Sequence, residues 1–151
     1  MLMKTKILDC TLRDGGYYTN WDFSSEVVKT YIETTNKLPV DYLEIGYRNK
    51  PTKEYMGKFG YTPVSILKKL RKSSNKKLAV MLNEKSTLPE DLDELLTPIK
   101  GLADMVRLAV DPKNFERAVV LAKAVKAMGF EVAFNTMYMS KWSTEYKGFL
   151  D

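Results

Sequence analysis

Five short apolar runs alternate with amphipathic segments along this chain, and that alternation constrains the fold more than any other feature of the sequence. Short apolar runs bounded by turn-forming residues are typical of strands, whereas apolar residues that recur every three or four positions are typical of helices. Strands that alternate with helices form βαβ units and assemble into a parallel sheet. The predicted strands are residues 7–12, 42–47, 78–82, 105–110 and 131–139.

The amphipathic segments between the strands are predicted as helices. Ser24 is suited to cap the first of them, because its side chain can accept a hydrogen bond from the first helical turn. Gly129 ends the last, since glycine readily adopts the left-handed conformation that follows many helices. Residues 48–62 have no clear periodicity, so they are predicted to form a loop, either a lid over a site or a plain surface loop. The predicted helices are residues 24–38, 63–72, 91–100 and 115–128.

A polar residue occurs on one face of every predicted strand, mostly toward its carboxyl end. An open sheet covered by helices on both sides needs strands that are apolar on both faces. A barrel strand needs apolar residues mainly on its outer face, which the helices cover. Its inner face can carry polar residues, because the barrel interior opens into an active site at the carboxyl ends of the strands. We therefore predict a partial (β/α)8 TIM barrel with about five parallel strands and four helices, in preference to an open doubly wound sheet. The predicted inward-facing residues are Asp9, Thr11, Arg13, Glu44, Met81, Asn83, Arg107 and Asn135, whereas Cys10 is predicted to face the helices.

The charge and composition exclude several classes of function. The 151 residues include 24 Lys and Arg against 19 Asp and Glu, for a net charge of +5, but only five of the basic residues are Arg. A nucleic-acid surface would carry more arginine interleaved with aromatic residues, so we predict no nucleic-acid partner and interpret the basic stretch 68–77 as a solvated helix end. The chain contains no His, which excludes Ser-His and Cys-His catalytic groups.

The sequence also predicts where the protein resides. Cys10 is the single cysteine, so no intramolecular disulfide can form, which favours a reducing compartment. No apolar run approaches the roughly 18 residues of a membrane-spanning helix, and the first residues lack the apolar core of a signal peptide. We therefore predict a cytoplasmic protein without a membrane partner, in which residues 1–151 form one domain.

The first predicted strand ends in the most chemically informative stretch of the chain, Asp9-Cys-Thr-Leu-Arg-Asp-Gly-Gly16. Arg13 and Asp14 place a cation beside a carboxylate, and glycines follow them. Carboxylate oxygens bind hard divalent cations, and the planar guanidinium of arginine matches a carboxylate or a developing enolate. The stretch therefore suits the binding of an anion and a metal together, although it could also be a charged turn.

This stretch resembles the D-x-T-L-R-D-G signature of the DRE-TIM metallolyases, a family that includes 4-hydroxy-2-oxovalerate aldolase and 3-hydroxy-3-methylglutaryl-CoA lyase. The segment Leu43-Glu-Ile-Gly46 resembles the part of the family that supplies a glutamate on the second strand, here Glu44. The resemblance implies that Asp14 is a ligand of a divalent cation (Mg²⁺, Mn²⁺ or Zn²⁺). It also implies that Arg13 stabilises an enolate as a carbon–carbon bond breaks or forms, and that Glu44 supports the site.

The chain departs from this family in its lack of histidine. The family completes its metal site with a His-x-His pair on a late strand, and its aldolases have a catalytic His shortly after the Arg-Asp-Gly sequence. Here Gly16, Tyr17 and Tyr18 occupy that second region, so the resemblance implies that a tyrosine or another base replaces the histidine. It further implies that residues 1–151 are the N-terminal portion of a longer catalytic domain and are inactive alone, with an incomplete metal site.

Two functions of different classes remain open from the sequence. The first is a divalent-metal-dependent aldolase or lyase that cleaves or forms a carbon–carbon bond next to a 2-oxo acid. In it, Arg107 and Asn135 line the substrate pocket, although each could instead satisfy a buried polar partner. The second is a non-catalytic (β/α) domain that binds a small anion or a partner protein. The basic charge and the missing histidine favour the second.

The barrel interpretation predicts one contact inside the sheet and one property of its edges. Glu44 and Arg107 lie on alternate strands, whose side chains share a layer, so they should approach within salt-bridge or one-water distance. The first and fifth strands would lack outer neighbours, and unpaired strand edges recruit strands from other chains. We therefore predict self-association. The side chains predicted to be exposed on the inner face are Thr11, Met81, Ala109 and Met137.

Overall fold

Five parallel strands form one curled sheet in the computed structural model, which describes residues 5–142. The strands are Leu8–Asp9 (β1), Tyr42–Tyr47 (β2), Lys77–Asn83 (β3), Met105–Val110 (β4) and Glu131–Thr136 (β5). Each strand pairs with its neighbours in sequence, in the order β1-β2-β3-β4-β5, without the reversal that marks an open doubly wound sheet. The predicted fold class, a partial (β/α)8 barrel, is therefore confirmed.

Six helices accompany the sheet in the described part of the chain, compared with about four predicted. They are Thr11–Thr19 (α1), Ser25–Thr35 (α2), Lys58–Tyr61 (α3), Val64–Ser73 (α4), Leu92–Leu96 (α5) and Phe115–Ala127 (α6). The capping role of Ser24 is confirmed, because its Oγ accepts a 3.2 Å hydrogen bond from the N–H of Val27. No helix within residues 5–142 is long and apolar enough to cross a membrane.

Two segments differ from their predicted secondary structure. The predicted loop 48–62 contains α3, whose backbone lies so close to β2 that a Cβ on Gly46 would meet the carbonyl oxygen of Phe59 at 2.0 Å. The predicted helix 91–100 is interrupted: only α5 is α-helical, and 3₁₀ turns at Pro89–Asp91 and Thr97–Ile99 flank it. Proline begins or enters each of these turns, because it lacks the N–H group that a longer helix would need.

The first predicted strand is largely wrong. Only Leu8–Asp9 is a strand, and α1 begins at Thr11, so Arg13 and Asp14 lie on a helix. The predicted facing of this segment is also wrong. Asp9 points toward α2, where its carboxylate accepts a hydrogen bond from the hydroxyl of Tyr31, whereas Cys10 lines the concave face of the sheet. The carboxylate takes the outer side because its hydrogen-bond donors lie there.

The other strands follow the prediction closely. The limits of β2 and β4 are those predicted, and β3 extends the predicted 78–82 by one residue at each end. β5 ends at Thr136 rather than at residue 139, and the backbone turns away at Tyr138, which has a φ of 61°. The alternation of inward and outward side chains holds in β3, β4, β5 and the first half of β2, which is why Glu44, Arg107 and Asn135 share the concave face.

A bulge in β2 changes which of its side chains face inward. Glu44 is aligned with Ala79 and Gly46 with Val80, so Ile45 is an extra residue in the pairing with β3. Strict alternation would place residues 42, 44 and 46 on the inner face, but after a bulge the phase shifts by one. Tyr47 therefore joins Glu44 inside, where it packs with Met81 and Ala109.

The main core lies between the convex face of the sheet and the helices. Its strand residues are fully or almost fully buried, as expected of a parallel sheet with one face covered by helices. The principal members are Leu43, Ile45, Leu78, Val80, Leu82, Val106 and Leu108 from the strands, and Ile32, Leu67, Leu70, Leu121 and Val125 from the helices.

A smaller cluster covers the carboxyl end of the concave face, and it corrects one prediction. Met81 and Ala109, predicted to be exposed, are buried together with Tyr47, and Trp21 and Met137 pack against them. Trp21 follows α1 and carries its indole over the inner face. Thr11 is exposed, but it lies on α1 beside Asp9 and not on the inner face of a strand, where it was predicted. The side chains of Tyr47, Trp21 and Met137 thus cover apolar surface that the alternation pattern assigned to water.

Candidate active site

All five residues selected from the sequence meet in one hydrogen-bonded chain on the concave face. Arg13 Nη1 donates to Asp14 Oδ1 at 2.8 Å, and Arg13 Nε donates to Glu44 Oε1 at 2.7 Å. The second carboxylate oxygen of Glu44 accepts from Arg107 Nη1 at 2.8 Å, and Arg107 Nη2 donates to Asn135 Oδ1 at 3.0 Å. We call this series, from Asp14 to Asn135, the charge ladder.

Glu44 is the centre of the charge ladder. Its side chain is 0% exposed and lies between two arginines, so each carboxylate oxygen has a charged donor. A buried carboxylate without such partners would be strongly unfavourable. The predicted contact between Glu44 and Arg107 is confirmed as a direct salt bridge.

Arg13 is held as a cation. Burial by itself would lower the pKa of its guanidinium, but the hydrogen bond and the negative charge of Glu44 outweigh burial and raise the pKa above its ordinary value. The guanidinium carbon also lies 6.0 Å from the ring centroid of Tyr47, at the limit of a cation–π contact. Arg13 therefore presents a fixed positive charge on the concave face of the sheet.

The anchoring of α1 explains why Arg13 points inward. Asp9 accepts hydrogen bonds from the Thr11 backbone N–H at 3.0 Å and from the Thr11 hydroxyl at 3.2 Å, and it accepts a third from Tyr31 at 2.6 Å. These bonds fix the first residue of α1 to the end of β1. Arg13 lies about half a helical turn after Thr11. The geometry of α1, and not the alternation of a strand, therefore directs its side chain toward Glu44.

The Tyr31–Asp9 hydrogen bond predicts a loss of stability in alkaline solution. Burial, followed by the hydrogen bond to Asp9, raises the pKa of Tyr31 above its ordinary value. Ionisation is thus disfavoured in the folded state, so the contribution is present below about pH 10 and is lost as pH rises toward the folded pKa. Tyr31→Phe should lower the free energy of unfolding by about 1.5–3 kcal/mol at pH 8. Urea unfolding at pH 8 and pH 11 should show a smaller difference between variant and parent at pH 11, and an equal difference would contradict this assignment.

Arg107 and Asn135 face an open cavity of about 360 Å³ on the concave side. Lys6, Cys10 and Arg13 also line it, so three cationic side chains border one hollow. The hydrogen bonds of Arg107 to Glu44 and Asn135 show that it satisfies buried polar partners. Because its side chain is 15% exposed and borders the cavity, it can also contact a bound anion.

Asp14 is much more exposed to solvent than the other four residues of the charge ladder. Its side chain is 64% exposed, and one carboxylate oxygen is paired with Arg13. Within residues 5–142, no group of three or more His, Cys, Asp or Glu side chains is arranged to hold a metal ion. The carboxylate is chemically suited to a hard cation, but the described residues do not form a complete cation site.

An aromatic group next to Arg13 was missed from the sequence. The indole Nε1 of Trp21 donates to the carbonyl of Arg13 at 2.9 Å, and its ring makes edge contacts with Tyr17 and Tyr47 at centroid distances of 4.8 and 5.7 Å. Trp21 has a φ of 56°, an unfavourable conformation for a bulky residue that tends to occur at functional sites. The adjacent glycines were the available signal, because Gly16 makes room for the indole.

Gly16 and its neighbour provide a matched test of this packing. A Cβ on Gly16 would lie 2.0 Å from Cδ1 of Trp21, whereas a Cβ on Gly15 would have an ordinary 3.8 Å contact with Phe23. We expect Gly16→Ala to lower the free energy of unfolding by about 1–3 kcal/mol, and Gly15→Ala to raise it by up to about 1 kcal/mol through helix propensity. Denaturant unfolding with Trp fluorescence measures both, and equal effects of the two substitutions would contradict the proposed packing.

One solved structure is similar to this half-barrel both in sequence and in fold. No family model matches the chain, and a search of curated proteins finds no match. The chain is 71% identical to a crystal structure of the N-terminal domain of a "putative aldolase" from Bacteroides vulgatus, with a TM-score of 0.92. The match covers 97% of this chain and 48% of that chain, so the sequence spans about half the length of the solved relative.

Proposed function

We propose that this chain supplies the enolate-stabilising part of a divalent-metal-dependent aldolase or lyase that acts on a 2-oxo acid. Its resemblance to the DRE-TIM metallolyases, with a 4-hydroxy-2-oxo acid as the substrate class, supports the proposal. The similarity to the N-terminal domain of the Bacteroides vulgatus protein agrees with it. One observation carries the proposal: a fully buried glutamate lies between two arginines on the concave face of a half-barrel.

Arg13 is the group that would stabilise the enolate. It retains its charge, Glu44 fixes its orientation, and little side-chain motion is needed when negative charge develops on a substrate oxygen. Such preorganised donors usually make the largest single contribution to catalysis of this kind. Glu44 also prevents Arg13 and Arg107 from repelling each other, so it supports the reaction by positioning.

Arg107 and Asn135 are proposed to bind the substrate. Both border the cavity on the concave face, and they are hydrogen-bonded to each other. The planar guanidinium of Arg107 suits the carboxylate of a 2-oxo acid, and the amide of Asn135 orients that guanidinium. A carboxylate bound here would lie on the same face as Arg13.

A divalent cation bound beside Arg13 would polarise the 2-oxo group of the substrate. We propose Asp14 as one ligand of a divalent cation, Mg²⁺, Mn²⁺ or Zn²⁺, because it is an exposed carboxylate beside the proposed enolate site. Residues 5–142 do not form a complete cation site, so we propose that groups outside the described residues supply the other ligands.

Deuterium exchange into the methyl group of pyruvate, followed by proton NMR in the full-length protein, tests the proposal. Formation of the enolate is enough for exchange, so no second substrate is needed. We expect Arg13→Lys to lower the exchange rate by about 10²-fold or more, because a lysine cannot reproduce the guanidinium geometry. Asp14→Asn should also lower it and should weaken its dependence on added Mn²⁺.

Arg117→Lys is the matched control for Arg13→Lys. Arg117 lies on α6, outside the barrel, and is paired with Glu84, so exchange should be unchanged. The proposed mechanism would be excluded by exchange that proceeds at the parent rate in Arg13→Lys, or by metal-independent exchange that survives Asp14→Asn.

The alternative, a non-catalytic domain that binds a small anion or a partner protein, is favoured by one feature. Lys6, Arg13 and Arg107 border the same open cavity. If this alternative is correct, a small dicarboxylate such as malonate should bind in calorimetry, with loss of binding in Arg107→Leu, while the full-length protein shows no pyruvate exchange.

A further inference from the structure

Two phenol groups meet at the carboxyl mouth beside Arg13. The hydroxyl oxygens of Tyr17 and Tyr47 are 2.7 Å apart, a short hydrogen-bond distance. Tyr17 lies on α1 and is 60% exposed, whereas Tyr47 ends β2 and is 7% exposed. One member of the pair is thus accessible from the mouth and the other is enclosed by the protein.

The pair is held rigidly. Trp21 contacts both rings edge-on and is itself hydrogen-bonded to the carbonyl of Arg13. The bulge in β2 brings Tyr47 to the inner face, and the absence of a side chain at Gly16 leaves room for the indole. These independent features all place the two hydroxyls together, so the contact is built into the fold.

Either hydroxyl could donate in this hydrogen bond, and burial favours retention of the proton by Tyr47. Burial, and then the hydrogen bond with Tyr17, raises the pKa of Tyr47, and the positive charge of Arg13 only partly opposes this. In the proposed role, the enclosed hydroxyl of Tyr47 donates to the oxygen of Tyr17 at 2.7 Å. A donated hydrogen bond of this kind helps a phenol to act in proton transfer.

We propose that Tyr17 is the acid–base residue of this site and that Tyr47 positions it. The inference rests on the proposed function and adds the group that moves the substrate proton. Tyr17 has the properties that the role requires: an exchangeable proton, exposure at the mouth, a fixed donor behind it, and proximity through Tyr47 to the group that holds the enolate.

The step balances without an additional reactant. In cleavage, Tyr17 first passes its phenolic proton to water. Its oxygen then takes the proton of the substrate's 4-hydroxyl group, and the freed O–H pair becomes the second bond of the aldehyde carbonyl. The bond between C3 and C4 breaks, and its electron pair moves through C3 to the 2-oxo oxygen, where Arg13 stabilises the enolate. C3 then takes one proton back from water to give the product 2-oxo acid, and Tyr17 ends with one proton, as it began.

Two assays on the full-length protein separate this role from enolate chemistry in general. Cleavage of 4-hydroxy-2-oxopentanoate, followed by the release of pyruvate, needs the hydroxyl proton to move. Pyruvate methyl exchange needs proton transfer only at C3, which the step above assigns to water and not to Tyr17. We expect Tyr17→Phe to lower cleavage by about 10²-fold or more and to leave exchange within about 3-fold of the parent. Tyr47→Phe should lower cleavage by about 10-fold, again with exchange retained.

Tyr18→Phe is the matched control. Tyr18 is the next residue of α1, is 93% exposed, and should be replaceable without effect on either assay. Cleavage that is undiminished in Tyr17→Phe, or cleavage and exchange that fall together, would overturn the role of Tyr17 while leaving the proposed function in place. A parent protein that shows neither exchange nor cleavage would instead overturn the proposed function, and this inference with it.

Discussion

Replacement of Glu44 by Gln is expected to lower the free energy of unfolding by about 3–5 kcal/mol. Glu44 is wholly buried and is the shared carboxylate partner of Arg13 and Arg107. The uncharged amide is nearly the same size, so the loss comes from electrostatics rather than from a cavity. Two mostly buried guanidinium groups would face each other without the negative charge between them. Urea or guanidinium unfolding of the purified chain measures the change.

Two further variants identify the source of that loss. Glu33→Gln is a matched control, because it removes an exposed glutamate that is 3.8 Å from Lys29 one turn away, and its effect should stay below about 0.5 kcal/mol. The double variant Glu44→Leu with Arg107→Leu should be more stable than Glu44→Leu alone, because fewer unpaired charges remain buried. If Glu44→Gln costs no more than Glu33→Gln, the charge ladder does not hold the inner face together.

At tens of micromolar, the chain is expected to sediment as a dimer or a larger assembly. β1 and β5 are the two ends of the sheet, and neither has an outer neighbour within residues 5–142. β5 is the longer of the two, and five of its six residues are only half-buried. Its free edge and the adjoining concave surface can pair with a second copy. The burial of Met81 and Ala109 beneath Trp21 removes part of the apolar surface that the sequence predicted to drive this contact.

The role of β5 can be separated from that of net charge. Ala133→Lys places an inward-facing charge on the edge strand, which natural sheets use to prevent edge pairing. Val120→Lys adds the same charge on α6, where the side chain is already exposed. The first variant should shift the population toward monomer in analytical ultracentrifugation, and the second should not. A parent chain that is monomeric at tens of micromolar would show that these edges do not recruit a partner.

The outer framework of the fold could be predicted because each strand from β2 to β5 has a simple local pattern. In each of these four strands, apolar residues alternate with one or two polar residues. This pattern fits a barrel wall whose outer face is covered by helices and whose inner face carries polar side chains. Glu44, Arg107 and Asn135 were selected from that pattern, and they lie on one face and are hydrogen-bonded in series. In a regular strand, successive side chains point to opposite faces of the sheet, so residue numbers alone show which side chains share a face.

The helical structure of Thr11–Thr19 could not be predicted from a local pattern. Thr11–Thr19 has two adjacent glycines and no apolar period, so helix propensity argues against the helix that forms there. Its stability comes from elsewhere: Asp9 holds its first residue, Asn20 ends it in the left-handed conformation, and Trp21 packs against Gly16. Arg13 was identified correctly by chemistry, but its inward direction depends on a helix rather than on strand alternation.

The sequence by itself determined the parallel half-barrel and the contact between Glu44 and Arg107, because these depend on periodicity and on the need of buried charges for partners. It also identified Arg13 and Asp14 by their chemistry, but not the helix that carries them. Only the tertiary structure decided the bulge at Ile45, the reversed facing of Asp9 and Cys10, and the meeting of Tyr17, Tyr47 and Trp21 beside Arg13. Each of these depends on contacts between segments far apart in the chain, such as Tyr31 with Asp9 and Tyr17 with Tyr47. Local pattern cannot encode such contacts, because the energy that selects them exists only once the segments have packed together.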